Sequence, residues 1–534
     1  MLDYLFVNAT LVDGTGSPPY KGDLGVKDGH IVLGSALVNE SAQYIIDASG
    51  LHLCPGFIDA HSHGDQVLGA DDAIAGLCKI SQGVTTEVTG QCGISPFPSR
   101  REHLQALRGV IKSFTVESLY NRLEEFTDFK SFLAYARDLP KIGNYAFNIG
   151  HASLRAAVMG MVSRAPDEDE MEHMKAYVAE AMENGCFGLS SGLIYAPSLY
   201  ASTGELTELC RVLKPYGGIY ATHMRSEADG VVEAVKEAIA IAEAAGVPLV
   251  ISHHKICGKA NWGASKTTLA LIGEAVDRGV GITLDQYPYE ATQTYFSGSI
   301  PPRYFTKGMD AFVSYLRDPA ERARIKAEML ETPPAYNSLH YNSGGFSGMF
   351  IASSPNVPEA RGLTVEQYAK KLGKDPFDTY FDLLAANRGG GLGAYFCLDK
   401  GELDAIYLNE NTVVGSDGIV NSPEDPVHPR AFGTFVKALT LFWKEKGLVS
   451  FEKAIHKQTG LPAQRWGLKG KGRIAGGYDA DLVLVNRDGL KDRATYADPR
   501  QLCEGIVMVM VNGVPVYEEG RLTGAHPGRV LLRD

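Results

Sequence analysis

Apolar residues along this chain fall into two regimes. Over the first fifty residues they come in short runs broken by turn residues, which predicts strands: Tyr4-Leu5-Phe6-Val7, a turn at Asp13-Gly14, and Lys27-Asp28-Gly29-His30-Ile31-Val32, where Asp-Gly favours a hairpin. The C-terminal runs Ala480–Val485 and Gly505–Val514 have the same character. Two β-rich ends predict one small β-domain built from residues 1–54 and 466–534. Between them, over residues 55–465, apolar strand runs alternate with stretches such as Val231–Ala240, whose helical spacing and Ala content predict a helix. Candidate strands end near His63, Thr89, His151, Ser191, His223, His254, Tyr289 and Asp417. Eight strands alternating with helices predict an α/β fold, a TIM-like parallel (β/α)8 barrel. The stretch from 290 to 410 is too long for one crossover, and its Gly/Ser/Pro-rich patches predict an inserted lid subdomain.

Composition narrows the function. A net charge of -12 argues against nucleic acid, whose phosphates demand a basic face. Met1-Leu2-Asp3-Tyr4 has no basic region and no long apolar core of a signal peptide, and no apolar stretch is long enough to span a bilayer. Eight cysteines are scattered without CxxC pairs, which points to reduced thiols rather than a disulfide framework. The expectation is a soluble cytoplasmic protein acting on a small molecule, with no membrane partner; the oligomeric state is not set by these features.

The chemistry gathers where the apolar runs stop. Pro55-Gly56-Phe57-Ile58-Asp59-Ala60-His61-Ser62-His63 reads as a strand ending in two histidines spaced i, i+2, which alternation would point to one side and one metal ion. Cys92, His223, His253 and Asp417 each end another apolar run. A lone buried histidine is more often satisfied by a backbone carbonyl, and a lone cysteine is more often a small hydrophobe. Six such residues at successive strand ends reverse that reading, because the strand ends of a barrel share one mouth. His254 would face away from His253, and His151 reads as structural.

The same residues carry a resemblance. Together with Gly90-Gln91-Cys92-Gly93, Gly192-Leu193-Ile194-Tyr195-Ala196-Pro197, Ser252-His253-His254-Lys255, Asp285-Gln286-Tyr287-Pro288-Tyr289, His428-Pro429-Arg430-Ala431-Phe432-Gly433-Thr434 and Gly477-Tyr478-Asp479-Ala480-Asp481-Leu482-Val483, they make the chain resemble the amidohydrolase superfamily. Within it, the cysteine, Gly-Leu-Ile-Tyr and His-Pro-Arg motifs resemble the N-acyl-D-amino-acid deacylases. The resemblance implies one tightly bound zinc on Cys92, His223 and His253, and a second, weaker metal position on His61 and His63 with Asp417 near it. Zinc lowers the pKa of bound water from about 15.7 to near 7. Asp417 is then expected to shuttle the proton from water to the leaving amine, and Tyr195 to hydrogen-bond the oxyanion. Lys255, Tyr287 and Arg430 resemble the family's clamp for a substrate carboxylate. Arg303, in the loop after the seventh strand, is either a partner for an acidic substrate side chain or a solvated loop charge.

Other branches bridge two metals with a carboxylated lysine after the fourth strand, but Gly188-Leu189-Ser190-Ser191-Gly192 offers none. That weakens a cyclic-amide hydrolase or dipeptidase reading. A non-catalytic scaffold would be expected to lose ligands, and here all six candidates are present.

Overall fold

The computed structural model describes residues 1–37, 40–422 and 427–534. Strands from both ends of the chain share one nine-stranded sheet. Leu482–Val485 pairs antiparallel with His52–Pro55, and Leu2–Leu11 pairs with Tyr20–Lys27 and, in parallel, with Ala42–Asp47. The expected hairpin is present: Tyr20–Lys27 pairs with His30–Val32, and Asp28 and Gly29 take φ of 51° and 78°. The C-terminal run Gly505–Val514 is two strands, not one. It breaks at Asn512-Gly513, with φ of 47° and 83°, between Ile506–Val511 and Val514–Glu518. Asn-Gly supplies the positive φ that a tight hairpin needs, and this overrides the continuous apolar pattern.

The middle of the chain is α/β and TIM-barrel-like. One parallel sheet orders Ile149–Gly150, Gly188–Gly192, Ile219–His223, Leu249–Ile251, Ile282–Gln286 and Thr412–Val414. A second parallel sheet orders Phe57–Asp59, Val84–Thr89 and Asn144–Phe147. Every residue of these strands is buried, as expected where both faces of a parallel sheet are covered. The two sheets are continuous through the single residue between Phe147 and Ile149. At the opposite edges the Ala60 N–H donates to the Val414 carbonyl at 3.3 Å, and the Asp417 N–H donates to the His61 carbonyl at 2.9 Å. Helices Glu168–Glu183, Thr203–Leu213, Val231–Ala245 and Ser265–Asp277 alternate with the strands.

Several strands stop earlier than their apolar runs imply. Phe57–Asp59 ends before His61 and His63, Leu249–Ile251 before His253, and Thr412–Val414 before Asp417. The two histidines therefore share a side through the loop that follows, not through strand alternation. Cys92, His253 and Asp417 adopt φ of 54°, 35° and 48°, a left-handed backbone that cannot continue a β-ladder.

Between the last two long parallel strands, Ala291–Tyr295, Leu392–Phe396 and Met349–Ser353 form a separate antiparallel sheet, with Leu392–Phe396 in the centre. Phe312, Tyr380 and Phe381 are buried in one apolar cluster with Tyr395 of its central strand.

Candidate metal centre

The loops beyond the parallel strands bring six side chains together. One group is His61, His63, Cys92 and Asp417, and another is Cys92, His223 and His253; within each, the ligand atoms lie within 4.8 Å of one another and every residue is buried. Cys92 belongs to both. Its sulfur is 3.3 Å from His61 Nε2, 3.4 Å from His253 Nε2 and 3.8 Å from His223 Nδ1. Burial opposes a thiolate, but His61 and His253 outweigh it and hold the Cys92 thiol well below its ordinary pKa. The glycines beside it are needed for space: a Cβ on Gly90 would lie 2.1 Å from the Asn148 carbonyl oxygen, and one on Gly93 would lie 2.8 Å from the Gly192 nitrogen.

These positions fit zinc. Tetrahedral zinc at about 2.3 Å from sulfur and about 2.0–2.1 Å from imidazole nitrogen sets sulfur and nitrogen about 3.5–3.6 Å apart. The three measured separations bracket that value. One thiolate with several imidazoles is also the donor set that zinc favours. His253 and Cys92 are neither Gly nor Asn, so their left-handed backbone carries strain of the kind that collects at functional sites.

Asp417 stands between the metal cluster and a cation. Its Oδ1 lies 3.2 Å from His63 Nε2 and 3.7 Å from His61 Nε2, and its Oδ2 is 2.9 Å from Arg430. Burial pushes its carboxyl up, but Arg430 and the surrounding histidines prevail and hold it well below the usual carboxylate range. Arg430 is itself buried, its Nε has no hydrogen-bond partner among the described residues, and its guanidinium lies 4.8 Å over the Tyr287 ring. Lys255 Nζ approaches the same ring at 5.6 Å. The Tyr287 hydroxyl donates to Thr292 Oγ1 at 3.2 Å.

Tyr195 packs edge-on against His223 with ring centres 5.1 Å apart, and its hydroxyl is 3.1 Å from Thr294 Oγ1. Burial first, and then Cys92, raise its pKa well above that of an ordinary tyrosine, which keeps the hydroxyl a donor. Phe114 stacks on His63 at 5.9 Å and meets Tyr295 at 5.1 Å, and Tyr295 meets Tyr195 at 5.8 Å. An aromatic wall thus lies along one side of the cluster. His151 is used structurally, bridging Ser198 and Glu205 at 2.8 and 3.0 Å behind the Tyr195 loop, and His254 turns to Thr268 Oγ1 at 3.0 Å.

Arg303 is not brought to the cluster. It pairs with Glu328, donates to the Tyr304 hydroxyl at 3.0 Å, and its side chain is 65% exposed. Two carboxylates not named among the candidate site residues do reach the clustered histidines. Asp285 meets His61 Nδ1 at 3.2 Å and accepts the His253 backbone N–H at 2.7 Å. Glu227 lies among His223, His253 and Lys255. An acid ending the buried run Ile282-Thr283-Leu284 is a signal that would have found Asp285. Glu227 sits in an irregular loop with no such pattern.

The geometry is that of a metal-dependent hydrolase, and comparison with known proteins agrees. The model of the amidohydrolase family matches residues 44–329 and 402–517, and the chain belongs to that family. It is 36% identical over 531 residues to the D-aminoacylase of Alcaligenes xylosoxydans xylosoxydans, covering 99% of this chain and 98% of that protein. It is 37% identical over 533 residues to the N-acyl-D-aspartate deacylase of the same organism, covering 99% and 95%. The crystal structure of an N-acyl-D-glutamate deacylase from Bordetella bronchiseptica, complexed with zinc and a phosphonate inhibitor that mimics the tetrahedral intermediate, matches with a TM-score of 0.80 and 32% identity over 100% of both chains. Within the amidohydrolases, the chain is a member of the N-acyl-D-amino-acid deacylases.

Proposed function

We propose that the protein hydrolyses the amide bond of linear N-acyl-D-amino acids, releasing a carboxylate and the free D-amino acid. The supporting observation is the placement of two buried cations, Lys255 and Arg430, over one tyrosine ring, with Arg430 also 2.9 Å from Asp417. A substrate carboxylate held there would lie within reach of the cluster. Cys92, His223 and His253 would hold the tight zinc, and His61 and His63 a weaker second ion with Asp417 near it. Zinc, when bound, supplies Lewis acidity that makes water more acidic and polarises a carbonyl. Asp417, ionised at neutral pH, accepts the proton of the attacking water and returns it to the departing nitrogen. Tyr195 donates to the oxygen that gains charge, and Phe114, Tyr195 and Tyr295 exclude water on that side.

An unsubstituted cyclic amide has no free carboxylate for Lys255 and Arg430 to hold, whereas every linear N-acyl amino acid does. Arg303 gives no support to an acidic side-chain preference, because its charge is already met by Glu328 in solvent. The architecture that accompanies this reading is a closed (β/α)8 barrel over residues 55–465, a small β-domain from 1–54 and 466–534, and a lid over 290–410. All eight cysteines are free and buried, which supports residence in a reducing cytoplasm. Among the described residues, no helix is long and apolar enough to cross a membrane.

A kinetic screen of the zinc-loaded protein against N-acetyl-D- and L-amino acids tests the assignment. Amine release is expected from the D series only, with leucine and methionine turned over at least as well as glutamate and aspartate. Equal rates for both enantiomers would reject it, and a clear preference for glutamate would return a role to Arg303. Arg430→Met should raise KM for carboxylate-bearing substrates about 30-fold or more, the scale for removing one partner of a buried charge pair. An unchanged KM would remove Arg430 from the clamp.

A further inference from the structure

We infer that Glu227 is a positioning residue that orients both imidazoles of the tight metal site and holds Lys255 beside them. The two histidines turn different nitrogens toward Cys92, His223 its Nδ1 and His253 its Nε2. Their remaining nitrogens face one carboxylate: Glu227 Oε1 is 3.0 Å from His253 Nδ1, within hydrogen-bond reach, whereas Glu227 Oε2 is 3.6 Å from His223 Nε2, a charge contact to a buried nitrogen that has no hydrogen-bond partner among the described residues. An imidazole that gives one nitrogen to a metal carries its proton on the other, and that N–H needs an acceptor to fix the ring. Glu227 gives one oxygen to His253 directly and turns the other toward His223 as the nearest carboxylate oxygen.

The same carboxylate takes a third partner. Lys255 Nζ, 2.5 Å from Glu227 Oε1, shares that oxygen with His253 Nδ1, and the 2.6 Å between the two nitrogens is a close approach of two donors rather than a hydrogen bond. All four side chains are buried, so the charges are poorly screened and their geometry is strongly imposed. The backbone is fastened as well, since the Cys257 N–H donates to the Glu227 carbonyl at 2.7 Å and ties the loop after Lys255 to the loop after His223. One side chain therefore links metal retention to the lysine assigned above to the substrate carboxylate. The metal part stands on the cluster alone, and the lysine part rests on the proposed function.

The test is zinc affinity, measured by chelator competition without substrate, for Glu227→Gln, Glu227→Ala and Lys255→Met. Both Glu227 variants are expected to bind zinc 10–100-fold more weakly, the usual cost of losing a carboxylate behind a metal-ligating histidine. Lys255→Met is expected to stay within about threefold of the parent, because it leaves Glu227 with both imidazoles. The nearly isosteric glutamine preserves the fold should the alanine variant fail to accumulate. Parent-like zinc affinity in Glu227→Gln would overturn the inference, and an equal loss in Lys255→Met would show that general disruption, not ligand orientation, is being measured. Neither outcome depends on which amide the enzyme cleaves.

Discussion

Replacing Asp417 with asparagine is expected to lower kcat by about 10²–10⁴-fold while the protein keeps its tight metal. The substitution preserves shape, so the contacts to His63 and Arg430 at 3.2 and 2.9 Å lose charge more than geometry. It removes the carboxylate proposed above as the proton acceptor, since an amide oxygen is a negligible base. Metal should remain because Cys92, His223 and His253 form a ligand group without Asp417. Metal analysis and single-turnover kinetics on the same sample separate the two effects. Turnover within tenfold of the parent would assign the proton transfer to another group.

The second large effect is expected at Cys92. Structural zinc sites contribute about 10–16 kcal/mol, so one of four ligands is worth about 3–4 kcal/mol, or on the order of 10²–10³ in affinity. Cys92→Ala should cost at least that much, because its sulfur contributes to both ligand groups. Zinc content after dialysis should fall well below one equivalent, and amide hydrolysis should fall with it. Retention of a full equivalent of zinc would mean that the histidines and Asp417 hold the ion by themselves.

Much of the candidate site was legible because most of its side chains follow closely on an apolar run. A polar side chain at the end of a buried strand has few reasons to be there, and His223 and Asp417 could be read on that ground. The reading was weaker where it relied on strand geometry. His61 and His63 do meet, but the strand before them ends at Asp59, whose side chain accepts the His61 N–H at 3.2 Å and the Ser416 N–H at 2.8 Å. Lys79 completes that buried tie, 2.5 Å from Asp59. The contact to Ser416 joins residues 357 positions apart and leaves no local pattern. Glu227 escaped for a different reason, since its partners His223, His253 and Lys255 are near in sequence but it sits in an irregular loop with no apolar run before it. Arg303 stood open between a substrate partner and a solvated loop charge because loop position alone does not show its partner; Glu328, which pairs with it, lies in the helix Pro319–Met329.

The closing contacts between the first and last parallel strands also constrain how the chain is made. His63 and Asp417 are 354 positions apart, and His52–Pro55 pairs with Leu482–Val485. A ribosome delivers the N-terminal half first, so His61, His63 and Cys92 emerge long before their partners exist. The early strands must wait with their edges unpaired, a state that invites association between nascent chains. Contacts of such long range also slow the final search. The ligand group that includes Asp417 therefore cannot assemble until the chain has been made through its last parallel strand, whereas Cys92, His223 and His253 are all present well before it.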